Sequence, residues 1–283
     1  MNDAAGAGGW HAHLQLHYTR QGDCTVALDR HSGPLRVLQR LYPEGPGICH
    51  HVLVHPPGGV VGGDVLELHA QLDEGTHAVL ATPGATRFYR SDGPLALQRS
   101  SVSMAAGARL EWWPMETIAH RGCRAENRLR MSLAPGAEAM GWDLLALGLP
   151  AAGDTFDAGH YLQHLEVQGA WLERGLIAAA DTRLLHSPLG LAGRRVLGTM
   201  WFAAGTAITP TRRDTLLDSA RAQLATDPLR SHAGATAAHP RVVVLRVLAH
   251  GVEPAMALLR RVRAAWRASA WQLAANPPRL WQT

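Results

Sequence analysis

Leu68-His-Ala-Gln-Leu-Asp-Glu-Gly75-Thr-His-Ala-Val-Leu80 decides the fold class, because its form recurs twice further along the chain. Val102-Ser-Met-Ala-Ala-Gly107-Ala-Arg-Leu-Glu-Trp112 echoes it, and Leu129-Arg-Met-Ser-Leu-Ala-Pro-Gly136-Ala-Glu-Ala-Met-Gly-Trp142 is a third copy. Each reads as a strand, a glycine turn, a small residue and another strand, with turn glycines 32 and 29 residues apart. A supersecondary unit returning about every 30 residues suggests stacked coils or hairpins that bury one continuous core. A meandering β-protein without a true repeat also produces such spacing by chance. Both readings predict an all-β body.

The flanking sequence agrees. Glycine (29) and proline (17) punctuate the chain densely. The short alternating runs at 24–30, 35–39 and 51–55 read as strands, and 241–248 as a strand too apolar for an exposed face. The period changes over 212–224, where Leu216, Leu217, Ala220 and Leu224 fall on one helical stripe behind Pro210. A second helix is expected from Glu253-Pro254 to about Trp271, burying Ala255, Leu258, Leu259, Val262 and Trp266. Arg260, Arg263 and Arg267 are expected on its other, solvated face. Residues 227–240 read as a loose loop. Residues 1–22 are expected to be a flexible segment. Residues 23–283 form one domain, a β-body to about 205 and a helix-containing part from about 206.

Composition sets the limits. The chain has 283 residues, 47% of them hydrophobic, enough to bury a sizeable core. Its charge is 27 − 23 = +4, and every basic residue is arginine. Without lysine, Schiff-base and lysine-base mechanisms are excluded. No basic stretch is interleaved with aromatics in the manner of RNA-binding modules, so no nucleic-acid partner is expected. Cys24, Cys49 and Cys123 are odd in number and widely spaced, which indicates neither a zinc site nor a disulfide framework. No window reaches the roughly 18 uninterrupted apolar residues of a membrane span, and the chain reads as cytoplasmic.

His55-Pro-Pro-Gly-Gly-Val-Val-Gly-Gly-Asp64 carries the glycines of a phosphate loop without its chemistry. A nucleotide cradle needs a lysine and a hydroxyl where this chain has Asp64 and Val65. Gly58, Gly59, Gly62 and Gly63 therefore mark a structural loop, in which at least one residue has positive φ or no room for Cβ. Ser91, Ser100, Ser101 and Ser187 lie in no nucleophile elbow, so no catalytic residue is indicated. The sixteen histidines do not form a cage by spacing. His51 and His55 would lie about 13 Å apart on one strand face. His11 and His13 would be about 6.6 Å apart.

That loop, together with ATPGATRFYRSDGP (81–94), LEWWPMETI (110–118), LERGLI (172–177), SPLGLAGRRVLGT (187–199) and the terminal PRLWQT, resembles the UreD/UreH family of urease accessory proteins. The matches run in family order from about residue 26 to the last residue. The resemblance implies a mainly β fold, an elongated β-sandwich with helical, solenoid-like winding of short strands. To this the sequence adds about two C-terminal α-helices. It also implies a non-enzymatic scaffold that installs nickel in apo-urease beside a UreF-type helical protein and a UreG-type GTPase. Nickel would then be cargo, passed on transiently and not held as a cofactor. One departure is Leu149, where relatives carry an arginine.

Transient passage calls for weak polar and carboxylate ligands. The candidates are acids set in apolar or glycine-rich sequence: Asp64, with Glu67 on the same strand face, Glu116, Asp143 and Glu173. A salt bridge or a turn cap is the structural alternative for each, most simply a Glu173–Arg174 pair. Arg260, Arg263, Arg267, Trp271 and Trp281 are the candidate partner-binding residues. The rival functions are a standalone nickel-storage protein and a carbohydrate- or RNA-binding β-module.

Overall fold

The computed structural model describes residues 9–282, and in it the threefold repeat is a coil. The strands, in chain order, are β1 (His11–Gln21), β2 (Cys24–Ser32), β3 (Arg36–Leu41), β4 (Cys49–Val54), β5 (Val65–Leu72) and β6 (His77–Ala81). Then come β7 (Thr86–Phe88), β8 (Ala96–Met104), β9 (Arg109–Trp113), β10 (Thr117–Ala119), β11 (Cys123–Leu133) and β12 (Glu138–Leu149). The last are β13 (Asp154–Thr155), β14 (Gly159–Val167), β15 (Trp171–Ala178), β16 (Val196–Ala204), β17 (Ala233–His239) and β18 (Val242–Ala249). The helices are α1 (Thr182–His186), α2 (Pro210–Ala225) and α3 (Val252–Trp271).

Two sheets face each other. The first has the order β15-β14-β11-β8-β5-β1-β2, and the second runs β17-β18-β16-β12-β9-β6-β4-β3. At each repeat the chain leaves a strand of the first sheet, turns at a glycine, and enters the second: β5 to β6, β8 to β9, β11 to β12. Successive coils stack in parallel, β5 on β8 on β11 and β6 on β9 on β12. A hairpin would have paired β5 with β6, so the stacked-coil reading is the correct one. Gly75, Gly107 and Gly136 have φ of 67°, 68° and 82°, a region that glycine enters without a Cβ penalty. The turns also lie on one another: Ala105 N–H donates to Leu72 C=O at 2.8 Å, and Ala134 N–H to Met104 C=O at 2.9 Å.

The second sheet is covered on both faces, which is why β12, β16 and β18 read as nearly continuous apolar runs. One face meets the first sheet, and α2 and α3 cover the other. Leu216, Leu217, Ala220 and Leu224 of α2 and Leu258, Leu259, Val262 and Trp266 of α3 share a core with Trp142, Phe202 and Leu245. Among the described residues no helix is long and apolar enough to cross a membrane.

Two expectations need correction. The segment 1–22, expected to be flexible, contains strand β1, which sits between β2 and β5 and buries Ala12, Leu14, Leu16 and Tyr18; residues 1–8 lie outside the described region. The outward His11, His13, Gln15 and His17 mask that period-2 pattern at first reading. Residues 227–240, read as a loop, hold edge strand β17, paired antiparallel with β18. Small residues make a strand there because the apolar β18 supplies the pairing partner, so context overrides weak intrinsic β-propensity.

Candidate functional site: a polar layer between the sheets

The space between the sheets is not one continuous apolar core. On one side lie Leu68, Val102, Leu129, Leu165, Trp201 and Val244; on the other, Leu66, Ala96, Ala125, Tyr161, Leu145 and Leu147. A polar rung separates them. In the first sheet Gln98, Asn127 and Gln163 stand at paired register on β8, β11 and β14. In the second, Asp143, Thr199 and Arg246 do the same on β12, β16 and β18.

Hydrogen bonds join the two rungs. Gln98 Nε2 donates to Asn127 Oδ1 at 3.3 Å, and Asn127 Nδ2 donates to Asp143 Oδ1 at 3.1 Å. Gln163 Nε2 donates to Asp143 Oδ2 at 2.6 Å. Farther along, Thr199 Oγ1 donates to Glu173 Oε1 at 3.3 Å, and the exposed Arg246 guanidinium pairs with Glu173 Oε2. The layer therefore runs from Gln98 in the interior to Arg246 at the sandwich edge.

At the Gln98 end lies a cavity of about 220 Å³ beneath the glycine loop, lined in part by His55, Gly59, Thr86, Gln98, Ser100 and Trp112. The His55 Nε2 atom is buried without a hydrogen-bond partner, and burial holds its imidazole below the ordinary histidine range. A neutral imidazole nitrogen there is a free ligand.

The electrostatics of the layer favour a cation. Burial, opposed by the two amide donors and reinforced by the charge of Glu173, pushes the Asp143 carboxyl up to about 6. Burial raises Glu173 as well, against the pull of Arg246. Across the layer two acidic side chains share one guanidinium, that of Arg246, which pairs with Glu173, while Asp143 has only amide partners. An acid whose pKa is raised by folding stabilises the chain fully below its unfolded pKa and loses that contribution as pH rises through the folded value. A rise from 3.8 to about 6 corresponds to roughly 3 kcal/mol. Asp143→Asn is expected to lose this pH dependence. Denaturant unfolding of both proteins between about pH 4 and 7 checks it; a stability difference that is constant with pH contradicts it.

Of the five candidate acids, this layer brings together Asp143 and Glu173 only. Glu173 pairs with Arg246 and not with Arg174. Asp64 is a turn cap: its Oδ1 accepts from Trp10 N–H at 2.8 Å and its Oδ2 from Val61 N–H at 2.9 Å. Glu67, three residues on, lies on the outer face of the first sheet between the inward Leu66 and Leu68, so it does not share a face with Asp64. Glu116 leaves Oε2 buried without a donor, and its charge partly offsets the burial of Arg260 on α3. Within the glycine loop, Gly58 and Gly63 have φ of 76° and 94°, and a Cβ on Gly59 would fall 2.1 Å from the Tyr89 ring.

The arginines of α3 are a correction. Arg263 and Arg267 are 1% and 0% exposed, not solvated. Arg263 donates to Glu111 Oε2 at 3.1 Å, and Arg267 pairs with both Glu111 and Glu44. Glu111 also accepts from Trp113 Nε1 at 2.7 Å and meets His77 Nε2 at 3.2 Å; although burial raises its carboxyl, the His77 bond and both guanidinium groups hold it well below the ordinary range. Trp271 is buried against His77, and Trp281 stacks near Trp142 under Arg260 and Arg263. These five candidate partner-binding residues hold the C-terminal segment onto the body. Glu111, inside Leu110-Glu-Trp-Trp113, is the residue sequence reasoning missed; an acid in an apolar strand demands a buried partner. Leu149 closes β12 and rests against the helix-side core. Among the described residues, no three His, Cys, Asp or Glu side chains converge as a metal cage.

The sequence model of the family described as "UreD urease accessory protein" matches residues 11–282. A urease accessory protein UreD of Leptothrix cholodnii is 61% identical over 276 residues, covering 97% of this chain and 99% of that protein. Those of Verminephrobacter eiseniae and Variovorax paradoxus are 58% and 57% identical, covering 96% and 97% of this chain and 99% of each relative.

Proposed function

Because this chain belongs to the UreD family of urease accessory proteins, we propose that it serves urease maturation as a non-enzymatic scaffold that conducts nickel to apo-urease. It bridges apo-urease to a UreF-type helical protein and a UreG-type GTPase in the cytoplasm. The observation that carries the conduit is the polar rung of Gln98, Asn127, Gln163, Asp143 and Thr199, which crosses an otherwise apolar interior. An interior of this kind excludes a divalent ion unless polar groups replace its water.

Each residue has a task suited to that passage. His55 and Ser100, which line the cavity, receive the ion there. Asn127 and Gln163 hold Asp143 by their amide N–H groups and offer their own carbonyl oxygens by rotation. Asp143 and Glu173 supply the negative charge. Arg246 limits that charge, so the ion is released at the sandwich edge and not trapped. Few ligands, all oxygen except one imidazole, keep the affinity for nickel low. The energy for delivery comes from nucleotide hydrolysis on the GTPase.

Asp143→Ala and Glu173→Ala test this reading in reconstituted activation. Both variants are expected to stay folded and to co-purify with urease and the accessory proteins, while urease activity falls at least about tenfold, the effect of losing an ion-orienting group. Full activation by well-folded Asp143→Ala protein removes the layer from the nickel route.

A further inference from the structure

The outer face of the first sheet carries a second group of metal-ligating side chains, remote from the polar layer. Along β1 the residues His11, His13, Gln15 and His17 point outward, opposite the buried Ala12, Leu14, Leu16 and Tyr18. Register pairs His13 with Glu67 and Gln15 with His69 on the parallel neighbour β5. His13 and His69 are thus diagonal on one face. Their ring centroids are 5.1 Å apart, with the planes tilted by 53°. His11 and His13, the pair suggested by spacing, sit two residues apart on a single strand; the close pair is formed across strands.

We infer that His13 and His69 form a two-imidazole site for a borderline divalent ion of the nickel, zinc or copper type. Two imidazoles at this separation reach one ion from adjacent positions, each at about 2.0–2.1 Å, with water completing the shell. His69 is also oriented for the task. Its Nδ1 lies 2.5 Å from Ser101 Oγ on the next strand; in the tautomer whose Nδ1–H donates to that hydroxyl, Nε2 is left free as the ligand. His17, by contrast, is engaged by Asp73 at 2.9 Å. Glu67, directly across from His13, lends negative charge, and Arg99, its neighbour on β8, offsets it. The site is consequently selective by ligand type more than by charge: imidazole favours these ions over magnesium or calcium.

This inference does not depend on the conduit, because it is read from metal binding by the isolated full-length chain. Tag-free protein is titrated with Ni²⁺ alone in a calorimeter. Wild-type protein is expected to bind, and the His13→Ala/His69→Ala double variant to lose affinity by at least about tenfold. Ser101→Ala is expected to weaken binding by roughly tenfold through the lost orientation of His69. All three side chains stand on an outer face, and unchanged far-ultraviolet circular dichroism verifies the fold. Wild-type affinity in the double variant, or an equal loss in His11→Ala, overturns the assignment, as does a wild-type chain that binds no Ni²⁺.

Discussion

Glu111→Gln is expected to destabilise the chain by about 3–5 kcal/mol, the usual cost of breaking a buried ion pair from one side. Glu111 is fully buried and receives Arg263, Arg267, His77 and Trp113. Glutamine keeps the shape and removes the charge, leaving Glu44 alone opposite two buried guanidinium groups. Burial already lowers the Arg263 guanidinium to about 10, with Glu111 as the main opposing influence. Equilibrium denaturation by urea measures the effect. A loss below about 1 kcal/mol, the typical value of an exposed pair, would show that the network is not what holds α3 to the sheet.

Removing residues 272–283 is expected to cost at least as much. The sequence suggested Trp281, within this tail, as a partner-binding residue. The structure gives the tail an internal task. Ala274 C=O accepts from Arg267 Nε at 2.8 Å, Asn276 Nδ2 donates to Glu44 at 2.9 Å, and Arg263 bonds the Ala275 carbonyl. Trp281 is 8% exposed, and truncating a buried tryptophan alone costs about 3–5 kcal/mol. The truncated chain should therefore melt at a much lower temperature than the whole chain, before any question of partner binding arises. An unchanged melting curve by circular dichroism contradicts this account of the tail.

Much of the fold was legible because its signals are local. The turn glycines at 75, 107 and 136 announce a recurring strand-turn-strand unit, and Leu216 to Leu224 announce a helix by period alone. The choice between coil and hairpin was not local, since it depends on which strands pair. Strand β1 is masked in the sequence although Ala12, Leu14, Leu16 and Tyr18 alternate, because histidine and glutamine, not the β-branched and aromatic residues enriched in strands, stand between them. The site was legible only in part. Asp143 and Glu173 stand out as acids in apolar strands, but their meeting depends on register across both sheets. Gln98, Asn127, Gln163 and Thr199 carry no signal until that register is known. Arg263 and Arg267 looked solvated because arginine usually is; only Glu111 and Glu44, distant in sequence, make their burial possible.

The central claim is that nickel crosses this chain through the polar layer, and Asn127→Leu tests it most directly. Leucine has the same branching and the same number of side-chain heavy atoms as asparagine, leaves both carboxylates in place and keeps the Gln163 bond to Asp143. It replaces the middle of the route with hydrocarbon. Urease matured with the folded, complex-forming variant should contain several-fold less nickel per active site by metal analysis than urease matured with the unaltered chain, in line with a lost polar step in an apolar interior. A full complement of nickel in urease matured with Asn127→Leu would contradict passage between the sheets.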